Sequence, residues 1–216
     1  MCFHSIRKIG LLSVFLLFSS IVLVDAHPHM MVYPELTFIV EDETCTSIKM
    51  DWEFDTMFSM SIIDSFDVNK NKRFETKEID NIYDHAFLNL KNYHFFLNIQ
   101  KGNKIFYPDI ISDFTASQKD GKLSYQFNVS LRPFHLDEDF TLSIFDPTLF
   151  CAISYRNDPV GFSKTTIGKV PAFTLSTNKN EPFYYDPQGA VDDTTVYESW
   201  KPGLKTAYPE VIYVDL

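Results

Sequence analysis

The sequence predicts an α+β fold: a mainly antiparallel, β-sandwich-like domain carrying one inserted helix–loop–helix. Three observations predict it. Short segments rich in β-formers, separated by Gly, Asn, Asp and Pro turns, recur from residue 32 to about residue 155. Between about residues 55 and 92 the apolar period changes from that of a strand to that of a helix, on both sides of a polar loop. Aromatic residues make up 16% of the 216, with 21 Phe and 11 Tyr, a composition suited to packing on sheets. That length supports one domain with a substantial core.

Taken in order, residues 1–26 read as a secretory signal. Arg7 and Lys8 form the charged start, residues 9–24 are an apolar run, and Val24, Asp25 and Ala26 make a small-residue cleavage site. The run is shorter than the roughly 20 residues a bilayer span needs. Cleavage takes 19 basic residues to 17 and 29 acidic to 28, moving the net charge from −10 to −11. No basic run survives, so nucleic acid is not an expected partner. The expected location is periplasmic or secreted. Cys45 and Cys151 would then meet an oxidising compartment, where one disulfide is open to them. Cys45 falls in a polar turn and Cys151 in an apolar strand, and a buried free Cys151 is the plainer reading.

Residues 32–40 and 48–54 read as the first hairpin, with Ile48, Met50, Trp52 and Phe54 on one face. Asp55 caps a helix to about residue 66. Its inner face is expected at Met57, Phe58, Ser61, Ile62 and Ser65, broadened by Met60 and Ile63. A second helix, opened by Glu75 or Thr76, runs to about residue 92 on Ile79, Ile82, Tyr83, Ala86, Phe87 and Leu90; His85 lies off that face. Strand signals then resume at 95–100, 104–107, 110–117, 123–131, 140–145 and 149–155. Lys101-Gly102-Asn103, Lys119-Asp120-Gly121 and Asp146-Pro147-Thr148 form the turns between them. Beyond residue 157 the pattern weakens, with late strands expected near 170–175 and 211–214. The expected organisation is a signal at 1–26, a β-rich domain at 27–160, and a C-terminal extension at 161–216 packing on or trailing from the same domain.

Residues 67–78 have the pattern of a twelve-residue EF-hand-like calcium loop. Asp67, Asn69, Asn71, Glu75 and Glu78 place oxygen side chains at positions one, three, five, nine and twelve, and the Arg73 carbonyl stands at position seven. Position six, usually Gly, is Lys72, which costs on the order of 1 kcal/mol if its φ is positive. Against Asp67, Glu75 and Glu78 stand Lys70, Lys72, Arg73 and Lys77, leaving the loop net +1. Two readings stand: a weak Ca²⁺ site at the millimolar end, or an Asx-rich turn that keeps the shape without the ion.

A second metal-binding pattern lies at the expected new terminus, His27-Pro28-His29-Met30-Met31. The free amine and imidazole of His27 can chelate one ion, and His29 adds a second imidazole, a donor set suited to Zn, Ni, Co or Cu. Pro28 has no N–H and rules out the full amide-nitrogen square-planar site. A further ligand would have to come from His85, His94, His135 or a carboxylate. The alternative is a polar leader before the first strand.

Four segments in order carry a resemblance: Ala26-His27-Pro28-His29, Trp52-Glu53-Phe54-Asp55-Thr56-Met57-Phe58-Ser59, the 67–78 loop, and Phe145-Asp146-Pro147-Thr148-Leu149-Phe150. Over about residues 26–160 the chain resembles a bacterial family of periplasmic proteins of unknown function, described as the periplasmic component of an uncharacterised ABC-type transport system. The resemblance implies an association with divalent transition-metal transport, and it carries over onto the His-Pro-His start, Trp52, Asp55, Asp67 and Asp146. Lys72 departs from its pattern. The expectation is an exported metal-handling protein beside a membrane metal transporter. The alternative is a structural or adhesive β-domain whose calcium loop is vestigial. Catalysis is not expected: the chain shows no nucleophile elbow, HExxH, CxxC or glycine-rich phosphate loop.

Overall fold

The computed structural model describes residues 28–164, 171–190 and 195–216. Its elements are β1 (Met30–Glu41), β2 (Thr44–Phe54), α1 (Thr56–Phe66), α2 (Thr76–Ile82), β3 (Leu97–Lys101), β4 (Lys104–Phe106), β5 (Ile111–Lys119), β6 (Lys122–Ser130), β7 (Phe140–Ile144), β8 (Cys151–Ile153), β9 (Val160–Lys164), β10 (Ala172–Thr177), β11 (Phe183–Tyr185), β12 (Lys205–Ala207) and β13 (Glu210–Asp215). The expected α+β, mainly antiparallel sandwich is the observed architecture. One sheet runs β5-β6-β2-β1-β8, with β9 also on β1; the other runs β10-β13-β7-β3-β4. β11 and β12 form a separate pair.

The hairpins follow from local chemistry. Asp42 (φ 46°) and Glu43 (φ 62°) join β1 to β2, and Asp120 (φ 52°) and Gly121 (φ 75°) join β5 to β6. Both are two-residue turns with positive φ at each central position, which match the twist of paired strands. Alternation then sends Ile48, Met50, Trp52 and Phe54 of β2, and Leu123, Tyr125, Phe127 and Val129 of β6, into the core.

The sheets meet face to face where Phe38 of β1 packs edge-on against Phe140 of β7 at 5.8 Å. The other end of the first sheet is covered by the helical insert. Phe58 packs on Phe54 at 4.9 Å, and Phe87 lies 4.9 Å from Phe127 and 4.4 Å from Phe114. Ser59, fully buried, fixes α1 to the sheet: its Oγ accepts from the Leu123 N–H (3.0 Å) and donates to the Phe54 carbonyl (3.3 Å).

Several expectations need correction. The inner face of α1 is Phe58, Ser59, Ile62, Ile63 and Phe66; Met57 and Met60 are 69% and 61% exposed. The helical period holds, and the buried arc is rotated by one position from the expected one. The second helix keeps its expected inner face, but α2 stops at Ile82. The chain continues as a π-helical turn, Tyr83–Phe87, and a 3-10 stretch, Leu88–Phe96, that ends in left-handed residues His94, Phe95 and Phe96. Asp146-Pro147-Thr148 does not close a hairpin: β7 belongs to the second sheet, while β8 crosses to the first and pairs parallel with β1. The late strands exist as β10 and β13, and β13 lies inside the second sheet, between β7 and β10.

Cys45 and Cys151 are both buried and free. Cys45 pairs with Val40 and Cys151 with Met30, at opposite ends of β1. Ten residues of strand span roughly 33 Å, so no disulfide can join them.

Candidate functional site

The 67–78 loop connects α1 to α2 and follows a tight path. Asp67, immediately after α1, accepts from the Asn71 N–H at Oδ1 (3.1 Å) and from the Lys72 N–H at Oδ2 (3.0 Å). Asn69 and Asn71 repeat the pattern, accepting from the N–H groups of Asn71 and Arg73 at 2.9 Å each. These successive Asx turns coil the backbone. Lys70 (φ 56°) and Lys72 (φ 65°) take the left-handed conformation the coil requires, so the Lys72 departure is accommodated at a conformational cost. Glu78 turns back into the loop, accepting from the Val68 N–H at Oε1 and the Glu75 N–H at Oε2, both 2.9 Å. The second contact belongs to a capping box that starts α2.

Asp67 and Glu78 are therefore both buried, at 5% and 7% exposure, in one loop, while Asn69, Asn71, Arg73 and Glu75 stay exposed. Asn71 Nδ2 donates to Glu75 Oε1 at 2.9 Å. Neither buried carboxylate forms an ion pair among the described residues, although the loop holds four basic side chains. Gln118 of β5 adds a contact from outside the loop, its Nε2 donating to Asp67 Oδ2 at 2.9 Å. Sequence reading gave no signal for this residue, because it reaches the loop only through tertiary packing.

A second convergence lies at the start of β1, where three of the four motif segments meet. The His29 N–H donates to the Phe150 carbonyl at 2.9 Å, and its ring sits 5.1 Å from the Phe150 ring. Asp55 caps α1 by accepting from the N–H groups of Met57 (2.8 Å) and Phe58 (3.0 Å), and it also accepts from the Met31 N–H (2.7 Å). Buried Asp146 accepts from the N–H and hydroxyl of Thr148 and from the Cys151 N–H (3.0 Å). The Cys151 thiol is pushed well up, first by burial and then by the charges of Asp146 and Asp55. Its burial and the two neighbouring carboxylates therefore disfavour the thiolate form. Both aspartates here work as structural staples.

His27 lies outside the described residues. Among the described residues no group of three or more His, Cys, Asp or Glu side chains is placed to hold a metal ion. His85 is exposed on the insert, His94 stacks on Tyr107 at 4.6 Å, and the His135 carbonyl accepts from Lys101 Nζ at 2.7 Å. None is brought beside His29. The oxygen set of the 67–78 loop is of another kind, because it draws on two Asn side chains and a carbonyl.

The described residues form a β-sandwich with a helical insert and an inward-folded, oxygen-rich loop. Residues 11–216 match the family described as "Protein of unknown function (DUF1007)", and the chain belongs to that family. It is similar to the "Uncharacterized 15.5 kDa protein in trpE 3'region" of Spirochaeta aurantia, with 29% identity over 63% of this chain and 96% of the relative. It is also similar to an uncharacterized protein of Haemophilus influenzae, with 28% identity over 67% of this chain and 72% of the relative. No solved structure matches significantly. Among the described residues no helix is long and apolar enough to cross a membrane.

Proposed function

We propose that this protein is an exported, non-catalytic cation-binding module whose 67–78 loop takes Ca²⁺. One observation carries the reading: Asp67 and Glu78 are buried together in a twelve-residue loop without an ion-paired basic partner among the described residues. Buried carboxylates are ordinarily paired or bound to metal. The side chains of Asp67, Asn69, Asn71, Glu75 and Glu78 and the Arg73 carbonyl would supply the oxygen ligands a hard cation needs. A bound Ca²⁺ supplies the missing positive charge and ties the end of α1 to the start of α2. The net positive loop and the left-handed Lys72 set the affinity low, in the millimolar range of extracellular modules.

Calorimetric titration of the mature chain with Ca²⁺ tests this. The expected result is weak saturable binding that disappears in Glu78→Gln. A Ca²⁺ concentration ten times Kd raises stability by about 1.4 kcal/mol. Absence of both heat and stabilisation at ten millimolar Ca²⁺ overturns the reading and leaves a structural or adhesive β-domain.

The convergence at β1 favours a second reading, in which His27 and His29 hold Zn, Ni, Co or Cu beside a membrane metal transporter of the ABC type named above. The supporting observation is that His29 is held at the sandwich edge by the Phe150 carbonyl. Zn²⁺ and Ni²⁺ titrations of a chain starting at His27 separate the readings: binding lost in His29→Ala supports this one, and no binding overturns it.

A further inference from the structure

A cavity of about 590 Å³ opens between α1, the 67–78 loop and the β5–β6 turn. Its volume falls in the range of small-molecule sites, roughly 300–1,000 Å³. Met60 and Ile63 of α1 give it an apolar wall. Lys70, Lys72, Asp64 and Asp120 also line it, together with the hydrogen-bonded pair Gln118 and Asp67. Lys70, Lys72, Asp64 and Asp120 make no side-chain hydrogen bond or ion pair among the described residues. The cavity thus presents separated charges of both signs that do not satisfy one another, next to an exposed methionine. This also gives the most exposed apolar residue of the cavity wall, Met60, a use that core packing does not.

We propose that this cleft binds a small zwitterion, a free α-amino acid with an apolar side chain. Its carboxylate is recognised by Lys70 and Lys72, its ammonium by Asp64 and Asp120, and its side chain by Met60 and Ile63. The two lysines that weaken the loop as a calcium site are the groups that recognise the carboxylate. The site goes beyond the cation reading and does not rest on it, because its contacts are made by residues outside the loop's oxygen set.

Substitutions that preserve the backbone test it. Lys72→Gly removes an ammonium at a left-handed position that glycine prefers, and Asp120→Asn removes a carboxylate in a turn that favours Asn. L-leucine, L-methionine, N-acetyl-L-leucine and L-leucinamide are titrated into the mature chain, and amide resonances of Lys70, Gln118 and Gly121 are followed by NMR. The expected result is saturable shifts with the free amino acids, and binding weakened about fivefold by either cap, by Lys72→Gly and by Asp120→Asn. Ca²⁺ binding to Lys72→Gly, titrated in parallel, is retained or tightened, so failure of one site does not imitate failure of the other. No saturable shift with the free amino acids overturns the proposal, as does equal binding of the capped forms or of both variants.

Discussion

Asp55 shows how one carboxylate can organise a local region. It closes the N-terminus of α1 through two N–H groups and holds the start of β1 through a third. Asp55→Ala leaves all three donors without that acceptor, and the expected loss is about 2–3 kcal/mol in urea denaturation. Asp55→Asn keeps an acceptor and costs less than half as much. Cys45 sets a pH limit. Burial pushes its thiol up to about 12, so from about pH 9 the unfolded chain releases a proton that the folded chain retains. The unfolded state then binds fewer protons and stability falls as pH rises, by up to about 1.4 kcal/mol per unit. The loss is absent below pH 8. Denaturation midpoints measured from pH 7 to pH 11, with Cys45→Ser as the comparison, check the sign and the window.

Among the elements, the helical insert depends most on one side chain. Phe87 touches the rings of Tyr83, Phe95, Phe114, Tyr125 and Phe127 from within the π-helical turn. Phe87→Ala is expected to cost about 3–5 kcal/mol, with the loss visible in the near-UV circular dichroism of the surrounding aromatics. The insert also shows what sequence reading can reach. Asp55 as a cap, the inner face at Ile82 and Phe87, and the span of the loop were legible because their signals are local. The exposure of Met57 and Met60 was not, because a helical period reports a stripe without saying which edge meets the sheet. The wide turn at residues 83–87 leaves no mark in periodicity. The loop's oxygen positions were readable from spacing, whereas the contacts of Gln118 with Asp67 and of Ser59 with Leu123 span 51 and 64 positions of chain and leave no local signal.

For the whole molecule, the hairpins declared themselves and the joins between distant segments did not. Nothing in Cys151, Ala152 and Ile153 announces a parallel partner in Met30, Met31 and Val32, some 120 positions earlier. The weak alternation after residue 157 concealed that Val211, Ile212 and Val214 complete the second sheet. A chain ending after Leu204 lacks β13, leaving β7 and β10 without their shared neighbour. Such a chain is expected to lose cooperative unfolding altogether, as measured by urea titration followed at two independent probes. The position of β13 also sets a timetable. β7 ends at Ile144, and the strand it needs begins sixty-six positions later. At about 5–20 residues per second, roughly 3–13 s of translation separate the two. Through that interval the nascent polypeptide cannot complete its second sheet, because the place between β7 and β10 is still empty.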